Sequence, residues 1–368
     1  MNSIEAHRCW AEIDLAALRH NARVARQRLG GDVALLAVIK ANGYGHGLQA
    51  VADALRDHAQ LFGVANLLEA IQAREVVPHP VMILGPALAS ERAAIVERRF
   101  IPTVSTYEEA LEFSRVAQGS TVAIHCAIDT GMGRIGLPES DAVAQIKRIA
   151  QLPKIEMHSI STHLPSADED AGYTAIQLSR FHDLVEQLRS EVRASFQVHA
   201  LNSAGVLAFQ NSAHDMVRTG LMIYGVSPIP EFQTLLKPAL TLKGRIALLR
   251  ELPAGSGISY GRTFVAPRQT RVATLSFGYA DGFPRSLSNR DAAVLIRGCR
   301  CSVLGRVTMD LTLVDVTELP DVAIGDEVVV IGRQGEEQIL ATEVAERAGT
   351  IAWEVFTGIG SRVARVYV

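Results

Sequence analysis

A lysine stands where an apolar strand should end: "ALLAVIK" runs from Ala34 to Lys40 and is followed at once by "ANGYGHG". A lysine amine has an ordinary pKa of about 10.4, so near neutral pH only about one in a few thousand is free to attack a carbonyl. A desolvating wall and a second cation lower that value, which is how lysines that bond covalently to carbonyl groups are made. Position alone leaves a second reading open, a lysine that reaches along the rim to water or to an acid. Other apolar runs also end in chemistry. Asp129 and Arg134 lie in "DTGMGR", His163 follows "IEMHSIST", Asn202 and Ser203 lie in "QVHALNSA", and Arg218 and Gly220 lie in "MVRTGLMIYG". Small residues and N–H groups at strand ends form nests for anions such as phosphate.

These groups need a scaffold that brings strand ends together. From residue 34 to about 225 the chain alternates eight β-rich apolar runs with helical signals: Leu48, Val51 and Leu55 at helical spacing, Thr106 with Glu109 as a capping box, and the amphipathic "TAIQLSRFHDLVEQLRSE". Apolar strands separated by helices imply a parallel sheet covered on both faces, and eight units are the number that closes a (β/α)8 TIM-like barrel. Alternation alone also permits an open doubly wound sheet. In a barrel the reactive groups belong at the C-terminal ends of the strands, where the polar residues above fall. After residue 235 the pattern changes to strands punctuated by Gly, Pro and Asp, among them "LKGRIALLREL", "TRVATLSFGYADG", "CSVLGRVTMDLTLVDV" and "DEVVVIG". This predicts an α/β barrel over residues 14–232 and a mostly antiparallel β domain over 233–368, which residues 1–13 join.

Composition excludes other classes. The 368 residues suit two domains, and 48% apolar with 20% charged residues rules out disorder. A net charge of −3 without any basic run gives no footprint for nucleic acid. No apolar run approaches the roughly 18 residues of a membrane span, and the amino terminus has no secretory apolar core, so a cytoplasmic protein is expected. The four cysteines match neither a disulfide framework nor a zinc spacing, and no metal is expected.

"AVIKANGYGHG" resembles the pyridoxal phosphate attachment segment of alanine racemases, and the likeness extends over nearly the whole chain through "DTGMGR", "THLPSADE", "HALNSAG", "VRTGLMIYG", "SYGRTF", "GYADG" and "GRVTMD". The resemblance implies that Lys40 holds pyridoxal 5'-phosphate covalently and serves as one of two bases, with Tyr260 of "SYGRTF" as the second. It implies that Tyr44, Ser203, Gly220 and Leu221 attend the phosphate, that His163 packs on the cofactor ring, and that Arg218, supported by His199, faces the ring nitrogen. A guanidinium there disfavours ring protonation, where a carboxylate would favour it. Arg134 and Met309 match substrate contacts, and Tyr279 matches a tyrosine at a narrow entry. Tyr260 would come from a partner subunit, so a homodimer with shared sites is implied, acting on a small amino acid and supplying D-alanine for peptidoglycan.

The match departs at two places. Many members carry a lysine, carbamylated, where this chain has Ala127; Arg134 must then be held otherwise, by Asp129 or a bound anion. Ser361 stands where some members carry a tyrosine. A racemase preferring serine or accepting several side chains remains open. A decarboxylase of the same architecture should show an acid near the ring nitrogen, which Arg218 argues against, and a mere cofactor carrier would lack the second domain.

Overall fold

The computed structural model describes residues 7–30 and 32–368. They form two units, one made of residues 18–43 and 48–237, the other of 7–17, 44–47 and 238–368.

The first unit holds eight parallel strands: β1 (Ala34–Val38), β2 (Leu61–Val64), β3 (Val81–Pro86), β4 (Ile101–Val104), β5 (Val122–Asp129), β6 (Ile155–Ser161), β7 (Gln197–His199) and β8 (Met216–Thr219). Strands β1 to β7 pair in order, and β8 pairs back onto β1 with Met216 opposite Ala34. Between β7 and β8 the ladder is replaced by three bonds. Asp215 N–H donates to the Val198 carbonyl at 3.1 Å, Val198 N–H to the Asp215 carboxylate at 2.8 Å, and Arg218 N–H to the Leu201 carbonyl at 2.9 Å. Two backbone bonds and one to a side chain thus complete the circle, and the barrel predicted from eight runs is the architecture found, rather than the open sheet. Strand interiors such as Leu35, Leu36, Phe62, Val81 and Ile124 are fully buried, as a sheet covered on both faces demands.

Helices follow the strands. Leu48, Val51 and Leu55 are buried on the helix Leu48–Leu55. The long amphipathic run becomes Ala171–Glu191, capped by Asp170, whose carboxylate accepts from Tyr173 N–H. Thr106 caps Tyr107–Val116 as its spacing predicts, but the Glu109 carboxylate reaches back to Ser105 N–H rather than to the cap residue's own.

Several strand readings prove too long: "MVRTGLMIYG" pairs only over Met216–Thr219 and "TRVATLSFGYADG" only over Thr270–Leu275. "QVHALNSA" leaves the sheet after His199, because Asn202 caps a helix over Ser203–Ala208. "CSVLGRVTMDLTLVDV" divides into Cys299–Ser302 and Thr312–Asp315. Between them Gly305 turns at φ +68° and Thr308 closes a loop, its N–H donating to Leu311 O while Leu311 N–H donates to Thr308 Oγ1.

The second unit is a mostly antiparallel sheet. Its central strand, Leu240–Leu252, pairs antiparallel with Cys9–Ile13, Thr270–Leu275 and Glu327–Gln334; only Ala364–Tyr367 joins Cys9–Ile13 in parallel. Residues 44–47 belong to this unit through close packing. The Arg365 guanidinium donates to Gly45 O at 3.0 Å, and His46 lies edge-on to Phe356 at 4.9 Å. No helix among the described residues is long and apolar enough to cross a membrane.

Candidate active site

Strand β1 ends at Val38, two residues before Lys40. Ile39 still donates to Gly63 O, and then the backbone reverses hand: Ala41, Asn42 and Gly43 have φ of 53°, 54° and 61°, and Tyr44 follows at 51°. A left-handed turn costs about 1–2 kcal/mol for each residue with a Cβ, so this one must be held in place. Gly43 N–H donates to Ile39 O at 2.8 Å and Asn42 Oδ1 accepts from Leu48 N–H at 3.0 Å. The Glu69 carboxylate accepts from Ala65 N–H at 2.8 Å and from Asn42 N–H at 3.4 Å. The sequence reading put the lysine at the strand's end; the turn that aims it is left-handed, which only its glycines hinted at.

Lys40 is partly buried. Burial, and then the charge of Arg134, lower its amine below the ordinary lysine value, with Glu69 opposing. His163 is held neutral, pushed down to about 3 by burial and by Arg218, Arg134 and Lys40. Lys40, Arg134 and Arg218 thus act on the His163 imidazole together.

Arg218 is 6% exposed, and both terminal nitrogens of its guanidinium are engaged. One terminal nitrogen donates to His199 O at 3.1 Å and to His199 Nδ1 at 2.5 Å; the other donates to Thr162 O at 2.7 Å and Ala200 O at 3.0 Å, with His163 Nδ1 at 3.4 Å. Burial lowers it to about 10, so it stays a cation at neutral pH. Its partners are carbonyls and imidazoles, with no carboxylate among them, which is the environment that separates it from the acid-bearing alternative. Because a guanidinium only donates, His199 must accept at Nδ1 and carry its proton on Nε2. His199 stacks on His125 at 4.8 Å, and His125 is in turn fixed by Ser159 and Ser161: Nδ1 lies 3.1 Å from Ser159 O and Nε2 lies 2.9 Å from Ser161 Oγ.

Ser203 Oγ accepts from Gly220 N–H at 3.0 Å and from Met222 N–H at 3.4 Å, drawing the ends of β7 and β8 together around small residues. Leu221 starts the short turn that follows. An amine of lowered basicity, a hydroxyl among strand-end amides and a buried guanidinium are a donor set that fits a phosphorylated aldehyde such as pyridoxal phosphate.

Sequence reasoning missed a second polar chain. Gln177, fully buried on Ala171–Glu191, donates to Thr130 Oγ1 at 2.8 Å and His163 O at 2.9 Å, and Thr130 Oγ1 meets Thr162 Oγ1 at 2.6 Å. Thus the "DTGMGR" loop, His163 and the carbonyl that anchors Arg218 are fixed to one another. Gln177 looked like a polar residue on an amphipathic helix; its place on the buried face was the available signal. Arg134 itself is exposed. Asp129 is not its clamp, because the carboxylate accepts from Gly131, Met132 and Gly133 N–H at 2.8–3.1 Å and closes the loop. Burial raises the Asp129 carboxyl, but those amides more than offset it and its pKa is lowered.

Tyr44, Tyr260, Tyr279 and Met309 belong to the second unit. Tyr44 is buried, which pushes its phenol up. Tyr260 is 70% exposed and Met309 53%. The segment Arg306–Met309 ties them: Ser259 Oγ donates to Arg306 O, Tyr279 N–H to Thr308 O and Ala280 N–H to Met309 O. Arg362, next to Ser361, bridges Asp281 at 2.7 Å and Asp310 at 2.8 Å, bracing "GYADG" against "VTMD". Among the described residues no cluster of His, Cys, Asp and Glu could hold a metal ion.

Comparison with known proteins agrees over the full length. The family profiles for the alanine racemase N-terminal and C-terminal domains match residues 13–228 and 239–367. The alanine racemase of Halothermothrix orenii is 42% identical, covering 100% of this chain and 98% of its own. The solved alanine racemase of Clostridium difficile 630 superposes with a TM-score of 0.92 at 32% identity, covering 99% and 96%. That of Bartonella henselae, described with covalently bound pyridoxal phosphate, gives 0.90 at 28% identity, covering 98% and 100%.

Proposed function

The chain belongs to the alanine racemase family, whose members are pyridoxal phosphate-dependent isomerases, and on that footing we propose that it interconverts L- and D-alanine by proton transfer between two bases, Lys40 and Tyr260. The observation that carries this is the depressed basicity of Lys40 beside Arg134, His163 and Arg218. Such an amine is neutral at lower pH than an ordinary lysine, which favours both bonding an aldehyde and taking a proton. When bound, the cofactor supplies the electron-withdrawing system that acidifies the substrate's Cα–H bond.

Lys40 removes or returns the proton on the face used by the D-enantiomer, and Tyr260 acts on the opposite face. Arg218, a fixed cation without a carboxylate partner, would face the ring nitrogen and disfavour its protonation, which would suppress side reactions. Ser203, Gly220, Leu221 and Tyr44 hold the phosphate, His163 packs on the ring, and Arg134 and Met309 meet the substrate. The physiological setting is a cytoplasmic supply of D-alanine for peptidoglycan. Tyr260, the most exposed of the proposed site's aromatic residues, is donated to the site of a second copy, so the working form is a homodimer.

Mixing two inactive variants tests the arrangement. In a dimer with shared sites, Lys40→Ala with Tyr260→Phe regenerates one intact site per heterodimer, and random exchange restores about one quarter of wild-type turnover of L-alanine to D-alanine. No restoration after verified subunit exchange sinks the shared site. Chiral assay of alanine, serine and a bulkier amino acid fixes specificity: alanine should be fastest, and equal rates would favour a broad-specificity enzyme.

A further inference from the structure

The turn that carries Tyr260 is built unlike an ordinary surface hairpin. Gly257–Ile258 pairs with Phe264–Val265, and five residues connect them. Ile258 is 2% exposed and packs with Val272 and Leu304, with Phe264 against the same cluster, so both feet of the hairpin are fixed in the core. At the tip, Ser259 has φ 62° and ψ −175°, a region open in practice only to glycine. Gly261 and Arg262 follow at φ 71° and 48°. A backbone strained at an exposed tip persists only where its surroundings over-determine it.

Those surroundings come from "GRVTMD". Ser259 Oγ donates to Arg306 O at 2.5 Å. Gly305 lies so close beneath that a Cβ there would stand 2.7 Å from Ile258 O. On the far side of Tyr260, a Cβ at Gly261 would lie 3.0 Å from Arg306 Nη1. Arg306 therefore touches the turn on both sides of Tyr260, three residues before Met309.

The geometry points to Ser259 as a positioning residue: its hydroxyl, clamped to Arg306 O, holds a glycine-only backbone conformation that fixes the direction in which Tyr260 is presented. This rests on the reading of Tyr260 as the second base. Glycine would be the comfortable residue at position 259; serine accepts the strain and gains the clamp. The consequence falls on one proton transfer only. With Tyr260 misaimed, Lys40 still takes the Cα proton of D-alanine, exchanges it with solvent, and returns a deuteron to the same face, where it bonds with the electron pair the proton left behind. D-Alanine then exchanges its α-hydrogen without becoming L-alanine.

The test compares Ser259→Ala, Ser259→Gly and Tyr260→Phe in the cofactor-loaded enzyme in deuterium oxide, following α-deuteration of D-alanine and formation of L-alanine separately. Melting temperatures are measured with and without cofactor. Tyr260→Phe should abolish racemisation and retain exchange; if it retains racemisation, the two-base reading itself fails, whatever Ser259 does. Given that split, both Ser259 variants should racemise at least about tenfold more slowly than wild type while exchange stays within about twofold. Ser259→Gly should melt above Ser259→Ala, because both lack the hydroxyl and only alanine keeps the strain. Racemisation at the wild-type rate, an equal fall of racemisation and exchange, or Ser259→Gly melting no higher than Ser259→Ala overturns the inference.

Discussion

On the proposed function the chemistry turns on the amine of Lys40, and its environment makes a measurable statement. Burial and then Arg134 depress it, while Glu69 pulls the other way. The neutral amine is therefore abundant at lower pH than for an ordinary lysine, and capture of pyridoxal phosphate by cofactor-free protein should rise with pH at a midpoint below about 10.4. Arg134→Gln removes one depressing charge and should move that midpoint upward; Glu69→Gln should move it downward. Unmoved midpoints in both would show that neither charge reaches Lys40. Lys40 was legible because a charged residue ending an apolar run is conspicuous. Gln177 and His125 were not, since a polar residue on a helix or inside a strand takes its meaning from neighbours distant in sequence. His125 meets Ser159, 34 positions away.

At the scale of elements, the left-handed turn after β1 decides where Lys40 points. Ala41 is exposed and has φ 53°; Ala41→Gly should stabilise the fold by about 1 kcal/mol in urea unfolding, since glycine adopts this conformation without penalty. Gly45 is the opposite case. It has φ +78°, and a Cβ there would stand 2.2 Å from Phe356 O, so Gly45→Ala should cost about 3 kcal/mol and lower the melting temperature by several degrees. A Gly45→Ala protein as stable as wild type would contradict the packing of residues 44–47. The helices were readable from a cap, as at Thr106, or from a periodic apolar face, as at Leu48, Val51 and Leu55. The strands were over-read where apolar sequence continues past the sheet: Leu201 follows His199 without a break in hydropathy, and only Asn202 as a cap ends the strand. "GRVTMD" was mistaken for strand because β-branched residues mask the turn that Gly305 and Thr308 impose.

For the whole molecule, the buried imidazoles set the acid limit. His125 and His163 are held at about 3, by burial first and then by the Arg218 charge, against about 6.5 in the unfolded chain. The unfolded chain therefore binds protons first as pH falls, and the stability present above about pH 6.5 is lost progressively toward pH 3. Between pH 7.5 and 5 the cofactor-free protein should lose about 2 kcal/mol for each of these two histidines, before most carboxylates titrate. A flat urea midpoint over that range would contradict the buried network. The division into a barrel and a β sheet was legible from counting: eight alternating runs, then a change of rhythm. The closing of the barrel was legible only in the number eight; the bonds that make it between β7 and β8, two between backbones and one from Val198 N–H to the Asp215 carboxylate, take their meaning from residues apart in sequence.

The central claim is that the Lys40 amine is where the cofactor bonds to this chain. Protein loaded with pyridoxal 5'-phosphate, reduced with borohydride and digested should yield a single phosphopyridoxyl adduct, on the peptide containing Lys40, and Lys40→Arg should yield none. An adduct on a different lysine, or none on the wild type, contradicts the account.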